Sequence, residues 1–307
     1  MNGRVIKSTG SWYTVKTEKG LVNARLRGKF KQDDLKLTNP ISVGDYVELE
    51  QEADQPSSVI TDILPRENYI IRKSTRKNHF SHIIASNIDQ AFLIITLKNP
   101  RTSLGFIDRF LVSTESFRIP TSILVNKMDM DYKDKDMEYL EDIKDLYVPL
   151  GYPVYEISAL NNTKLQEQFL PLLKGKTTLL SGHSGVGKST LLNKIVPEAV
   201  QATKEISKFS AKGVHTTTFA EMFEIEDGGY LIDTPGIKEF GILDIDEFEL
   251  SHYFPEFRKY LGQCRYNNCQ HLNEPGCVVR QKLEEGLIHP YRYDSYVKIL
   301  TEEDDYR

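Results

Sequence analysis

Cysteine is scarce and confined. The 307 residues hold three, Cys264, Cys269 and Cys277, all in one short window. An odd number grouped this way excludes a disulfide framework of the kind that staples secreted domains, and leaves metal ligation as the chemistry that wants thiols side by side. Long apolar runs are missing too. No stretch approaches the ~18 consecutive apolar residues of a membrane-spanning helix, and Met1–Ser8 has no hydrophobic core of a signal peptide. The expectation is a cytoplasmic protein with no membrane partner. Charge of one sign does not dominate: the formal net charge of −5 weighs against a simple nucleic-acid coat. Its distribution is uneven, with residues 1–83 carrying an excess of positive charge and the remainder an excess of negative charge. The N-terminal part is therefore where a polyanion would bind.

What is present changes texture along the chain. Arg4–Ser8, Trp12–Thr17, Leu21–Arg27, Asp45–Leu49 and Ser58–Ile63 are rich in β-branched and aromatic residues, with turn residues between them. Five short strands within residues 1–65 suit a small barrel, either an oligonucleotide-binding (OB) fold or an SH3-like one. Residues 66–83 form a basic connector (Arg66, Arg72, Lys73, Arg76, Lys77), read either as a solvated linker or as a phosphate-contacting strap. From residue 84 to 242, strands and helices alternate, as in a mostly parallel α/β sheet. Ala91–Leu97 is an apolar run suited to a strand buried on both faces. Residues 243–307 read as a mainly helical domain around the cysteines, with helices over Val278–Glu285 and Tyr291–Glu303.

Within the α/β region, Gly182-His183-Ser184-Gly185-Val186-Gly187-Lys188-Ser189 matches the phosphate-loop pattern, between a candidate strand (Thr177–Leu180) and a candidate helix. Its glycines let successive amides turn toward phosphate oxygens, and the helix N-terminus adds positive potential. Lys188 is expected at the β- and γ-phosphates and the Ser189 hydroxyl on Mg²⁺. Asn126-Lys127-Met128-Asp129 follows the strand Ser122–Val125. The Asp129 carboxylate can accept from both N1–H and the exocyclic amine of guanine, a donor pair adenine lacks. Ser158-Ala159-Leu160 follows another strand, where the Ala159 amide would approach the guanine oxygen. Asp233-Thr234-Pro235-Gly236 offers Asp233 to the magnesium through a water and the Gly236 amide to the γ-phosphate. In Gly213-Val214-His215-Thr216-Thr217-Thr218, Thr217, with Thr216 as runner-up, is the expected magnesium-capping threonine. Ile237 occupies the place where many GTPases carry a water-orienting glutamine. Slow intrinsic hydrolysis follows, with His215 the nearest candidate to position the water, or else a structural residue.

These motifs come in an unusual order. The base-reading motif precedes the phosphate loop, the arrangement of a circularly permuted GTPase domain, which joined termini make tolerable. The second switch then leads straight into the cysteine region. There Cys264-x4-Cys269-x-His271-x5-Cys277 presents three thiolates and an imidazole, a closed tetrahedral set suited to one structural Zn²⁺.

An N-terminal OB-like barrel, a permuted Gly-x-Ser-Gly-Val-Gly-Lys-Ser GTPase and a Cys-x4-Cys-x-His-x5-Cys tail together resemble the RsgA/YjeQ family, over essentially the whole chain. The resemblance implies a GTPase of late 30S ribosomal subunit maturation, stimulated by that subunit. It implies 16S rRNA contact through the barrel and zinc domain, GTP/GDP as ligand, and a monomer. It extends the phosphate contacts to Thr190. Thr218 departs from relatives that carry arginine after the threonine pair, which leaves the switch threonine open. Two other readings compete: a permuted GTPase acting on a different RNA, and a GTP- or GDP-sensing RNA-binding module whose hydrolysis is incidental. Asp129 disfavours an ATPase.

Overall fold

A computed structural model describes residues 1–27, 40–51, 57–73, 81–161, 165–197, 220–226, 228–233 and 245–301. The N-terminal strands are β1 (Asn2–Ser8), β2 (Trp12–Thr17), β3 (Gly20–Leu26), β4 (Tyr46–Gln51) and β5 (Ser58–Ile63). Their alternation, clearest in β2, turns Tyr13 and Val15 inward beside Val5, Ala24, Val47, Leu49 and Ile60. The strands pair in the closed cycle β1-β2-β3-β5-β4-β1, with only β3–β5 parallel. That is the order of an OB barrel, which decides between the two barrels the sequence left open.

The basic connector is more structured than its pattern suggests. β6 (Tyr69–Lys73) and β7 (Ser81–Ser86) pair antiparallel, and Ile70 and Ala85 are fully buried in the large central core. A register shift between Ile70 and Ile71 breaks the two-residue period there, so the strand is hidden from an alternation test. Arg76, Lys77 and His79 lie outside the described residues.

The α/β domain follows as β8 (Gln90–Ile95), α1 (Leu104–Ser116), β9 (Thr121–Val125), α2 (Asp134–Tyr147), β10 (Val154–Glu156), a helical segment over 165–173, β11 (Thr177–Ser181), α3 (Lys188–Ile195), and the hairpin β12 (Glu221–Ile225) and β13 (Gly229–Asp233). The sheet order is β10-β9-β8-β11-β13-β12, parallel except for β12. One face is covered by α1 and α2, through Ile107, Phe110, Leu140 and Ile143; the other is covered by segment 165–173 and α3, through Phe169, Leu173 and Leu191. Among the described residues, the loops that begin at Asn126, Ser158 and Gly182 leave the C-terminal ends of parallel strands, and Asp233 ends another, where α/β sheets bind ligands.

Among the described residues, this domain is joined to the rest on two sides. On one side β1 pairs antiparallel with β12, so barrel and domain form one eleven-stranded sheet. Lys7 stands opposite Glu221, and Glu221 opposite Asp233, in one row across three strands. On the other side, α1 packs on the C-terminal domain. Val112 shares a core with Leu250, Phe254, Phe257, Val279 and Tyr296, under α4 (Val278–Glu284) and α5 (Pro290–Thr301).

Candidate nucleotide site and candidate metal centre

The phosphate loop is built by its glycines. Gly182, Gly185 and Gly187 have φ of 144°, 86° and 99°, the left-handed region that side chains resist. A Cβ on Gly182 would collide with the Ile94 carbonyl, and one on Gly187 with the Asn126 amide. Lys188, the first residue of α3, folds back to donate to the carbonyls of Gly182 and His183. Burial holds its ammonium below the usual lysine range, and the nearby Asp233 carboxylate opposes that shift. Ser184, Ser189 and Thr190 are exposed at the mouth of the loop, while Val186 is buried beneath it. An incoming phosphate would thus meet a cation and exposed hydroxyls over a rigid floor.

Asn126 ties the expected site together. Almost wholly buried, it donates through Nδ2 to the Val186 carbonyl at 2.8 Å and accepts through Oδ1 from the Ala159 amide at 2.9 Å. One side chain thereby fixes the phosphate loop and the second base loop to the base-reading motif. Asp129 is exposed and accepts from the buried Ser158 hydroxyl. Lys127, with φ of 68°, donates to the Asn99 carbonyl at 2.6 Å. Asp233 ends β13, beside β11. Among the described residues, Ser189 would hold magnesium directly and Asp233 through a water. The residues that would complete its switch side (His215, Thr216, Thr217, Thr218 and Gly236) lie outside the described residues.

The loop after β8 is the part of the site that sequence reasoning missed. Thr102 Oγ1 lies 2.7 Å from His183 Nε2 and accepts from the Thr96 amide at 3.1 Å. Phe106 meets the His183 ring edge-on at 5.3 Å, and Pro100 stands against Gly185. Burial lowers the His183 pKa, with Lys188 and Lys127 adding to the effect and a backbone hydrogen bond to Ser184 opposing it. No motif marks residues 96–102; only the adjacency of β8 and β11 brings them to the phosphate loop.

In the C-terminal domain the ligand atoms of Cys264, Cys269, His271 and Cys277 all lie within 4.8 Å of one another. A tetrahedral zinc with ~2.3 Å Zn–S bonds sets sulfurs about 3.8 Å apart, so the set fits with a slight contraction. His271 Nδ1 sits 3.6 Å from Cys264 Sγ and 3.5 Å from Cys277 Sγ. The Val278 and Arg280 amides donate to Cys264 and Cys277, and the second bond favours the Cys277 thiolate. Burial pushes the Cys269 thiol up to about 12 and raises that of Cys277, so a soft cation is needed to displace those protons. Gly276, at φ of 75°, makes the return of the chain possible.

Known proteins resemble the chain along its whole length. The family model described as RsgA GTPase matches residues 63–243, and the RsgA N-terminal domain model matches residues 2–59. A Cytophaga hutchinsonii protein named small ribosomal subunit biogenesis GTPase RsgA is 53% identical, with 100% of each chain covered. One of the same name from Phocaeicola vulgatus is 48% identical, over 99% of this chain and 98% of its own. The crystal structure of YjeQ from Thermotoga maritima superposes with a TM-score of 0.76 at 36% identity, covering 98% of this chain and 97% of that one. That of YloQ, described as a circularly permuted GTPase, gives 0.75 at 32% identity, over 100% and 96%.

Proposed function

Since the chain belongs to the RsgA GTPase family and is a GTP-hydrolysing enzyme, we propose that it works in maturation of the small ribosomal subunit, binding the 30S particle and hydrolysing GTP when that particle stimulates it. The relatives' names carry the ribosomal part of this reading. The nucleotide part rests on one observation: Asn126 fastens the phosphate loop and both base loops into a single pocket. In that pocket Asp129 reads guanine, while the amides of residues 182–187, Lys188, Ser189 and Thr190 take the phosphates. Magnesium, held by Ser189 and Thr217 and through a water by Asp233, would neutralise charge on the β- and γ-phosphates. Zinc on Cys264, Cys269, His271 and Cys277 would be structural.

Ile237 offers no hydrogen bond to an attacking water. The proposal therefore assigns water placement to His215, ordered by the particle. Hydrolysis with 30S, 50S and 70S particles tests it: stimulation by 30S alone is expected, and equal rates with all three would overturn the ribosomal assignment. His215→Ala should abolish the stimulated rate and leave GDP affinity unchanged; an unchanged stimulated rate removes His215 from the mechanism. Asp129→Asn should shift preference from guanosine to xanthosine nucleotides in competition binding.

A further inference from the structure

α1 touches both the phosphate loop and the C-terminal domain. At its N-terminus, Thr102 and Phe106 hold the His183 ring. One turn on, the fully buried Asp108 receives a hydrogen bond from Tyr147 at 2.8 Å and pairs with Nη1 of Arg292 from α5. Arg292 is itself 1% exposed. Its Nε donates to Glu256 at 2.6 Å and its Nη2 to the same carboxylate at 3.3 Å, while its guanidinium lies 4.6 Å from the centre of the Phe254 ring.

This cluster holds two carboxylates to one guanidinium, and Asp108 Oδ2 is buried with no hydrogen-bond partner. An under-compensated buried charge is a poor stability device. Burying it on a helix whose N-terminus also contacts the phosphate loop fixes the height and rotation of that helix, because any displacement exposes a charge to apolar surroundings. Further along α1, Glu115 accepts from Arg258 at 3.0 Å, so the helix is held to the C-terminal domain at two points.

We propose that Asp108 and Arg292 are positioning residues for the nucleotide site: through α1 and the Thr102–His183–Phe106 contact, the C-terminal domain sets how tightly the phosphate loop holds guanine nucleotide. The inference rests on the nucleotide-site assignment above. It places a route between the two parts of the protein within the described helices, separate from the switch segments. By linkage the route acts in both directions: what moves α5 changes nucleotide affinity, and nucleotide binding changes the hold on α5.

Asp108→Asn in the full, zinc-loaded chain is the informative variant. It keeps the acceptor for Tyr147 and leaves Arg292 paired with Glu256, so the fold is expected to survive. Binding of a fluorescent GDP should weaken by about fivefold or more, the lower end of ordinary coupling between sites, chiefly through faster release. His183→Ala should also weaken binding, and the double variant should be no weaker than the worse single one, because both cut the same connection. Arg292→Lys, which keeps the charge, should fall between wild type and Asp108→Asn. As a control, Val15→Ala in the barrel core should lower the melting temperature without moving affinity. A lowered melting temperature with unchanged GDP affinity for Asp108→Asn would make the cluster a purely structural joint and overturn the proposal. So would full additivity with His183→Ala. Failure of the wild-type chain to bind GDP would instead strike at the nucleotide site itself.

Discussion

At the scale of single residues, the site depends on a few side chains that do two jobs. Asn126 is the clearest. Truncating it to alanine strands the Val186 carbonyl and the Ala159 amide, each buried, at about 1–3 kcal/mol apiece. Asn126→Ala should therefore lower the stability of nucleotide-free protein in denaturant titration as well as weaken GDP binding. A variant that lost binding alone would show that the base loops are held by other means. His183 gives a pH dependence with a definite sign. Its folded pKa is depressed, so the unfolded chain takes up the proton first as pH falls. The stability it contributes is complete above the ordinary histidine value near 6.5 and drains away as pH falls from there through the lower folded value. Melting temperatures measured from pH 8 to pH 5 should fall more for wild type than for His183→Gln, and parallel curves would refute the assignment.

At the scale of elements, the phosphate loop and the metal loop were legible in the sequence because each needs particular residues at fixed spacing. Glycines at 182, 185 and 187 announce backbone that only glycine tolerates, and the structure gives all three positive φ. Gly187→Ala combines a left-handed penalty of about 1–2 kcal/mol with a collision against Asn126. It should weaken GDP binding by about tenfold or more, measured by titration. The Cys264–Cys277 loop likewise declared itself, through thiol spacing alone. Chelation of metal should raise hydrogen exchange at Gln270 and Leu272, whose amides donate to the Glu274 carboxylate, while the barrel strands stay protected. Uniform loosening of the whole chain would argue against a local structural role. Other elements were hidden. β6 sits at a bulge that breaks alternation, and residues 96–102 carry no recurring chemistry, gaining their place only because β8 and β11 are neighbours in the sheet. Contacts of that kind belong to topology, which a linear pattern does not record.

At the scale of the whole molecule, three bodies are joined by polar networks. Between barrel and α/β domain, the fully buried Asp45 accepts from Arg66 Nε and Nη2, both at 2.6 Å, from the Ser86 hydroxyl at 2.6 Å and from the Ser42 amide at 2.8 Å. Removing that charge leaves the Arg66 guanidinium bonded to the Pro40 carbonyl but without the Asp45 charge that balances it. Asp45→Asn should destabilise the protein by about 3–5 kcal/mol in denaturant titration. The half-exposed pair Lys16–Glu224, across the same junction, should contribute less than about 1 kcal/mol in a double-mutant cycle. The barrel's strand order was readable only as a choice between two folds, and its fusion to the α/β sheet was not readable at all, since edge strands carry no label for the partner that will extend them.

That fusion has a mechanical consequence. Lys7, Glu221 and Asp233 stand abreast on β1, β12 and β13, and the Lys7 ammonium grips the Glu221 carboxylate at 2.8 Å. A load taken up by the barrel would arrive at Asp233 as shear across two interstrand steps, about 10 Å, with no hinge in between to absorb it. The joint of β1 with β12 is one residue pair, tied by one ion pair, so a tug on the barrel through it is delivered at a single point and felt by the phosphate site as a displacement of its own sheet.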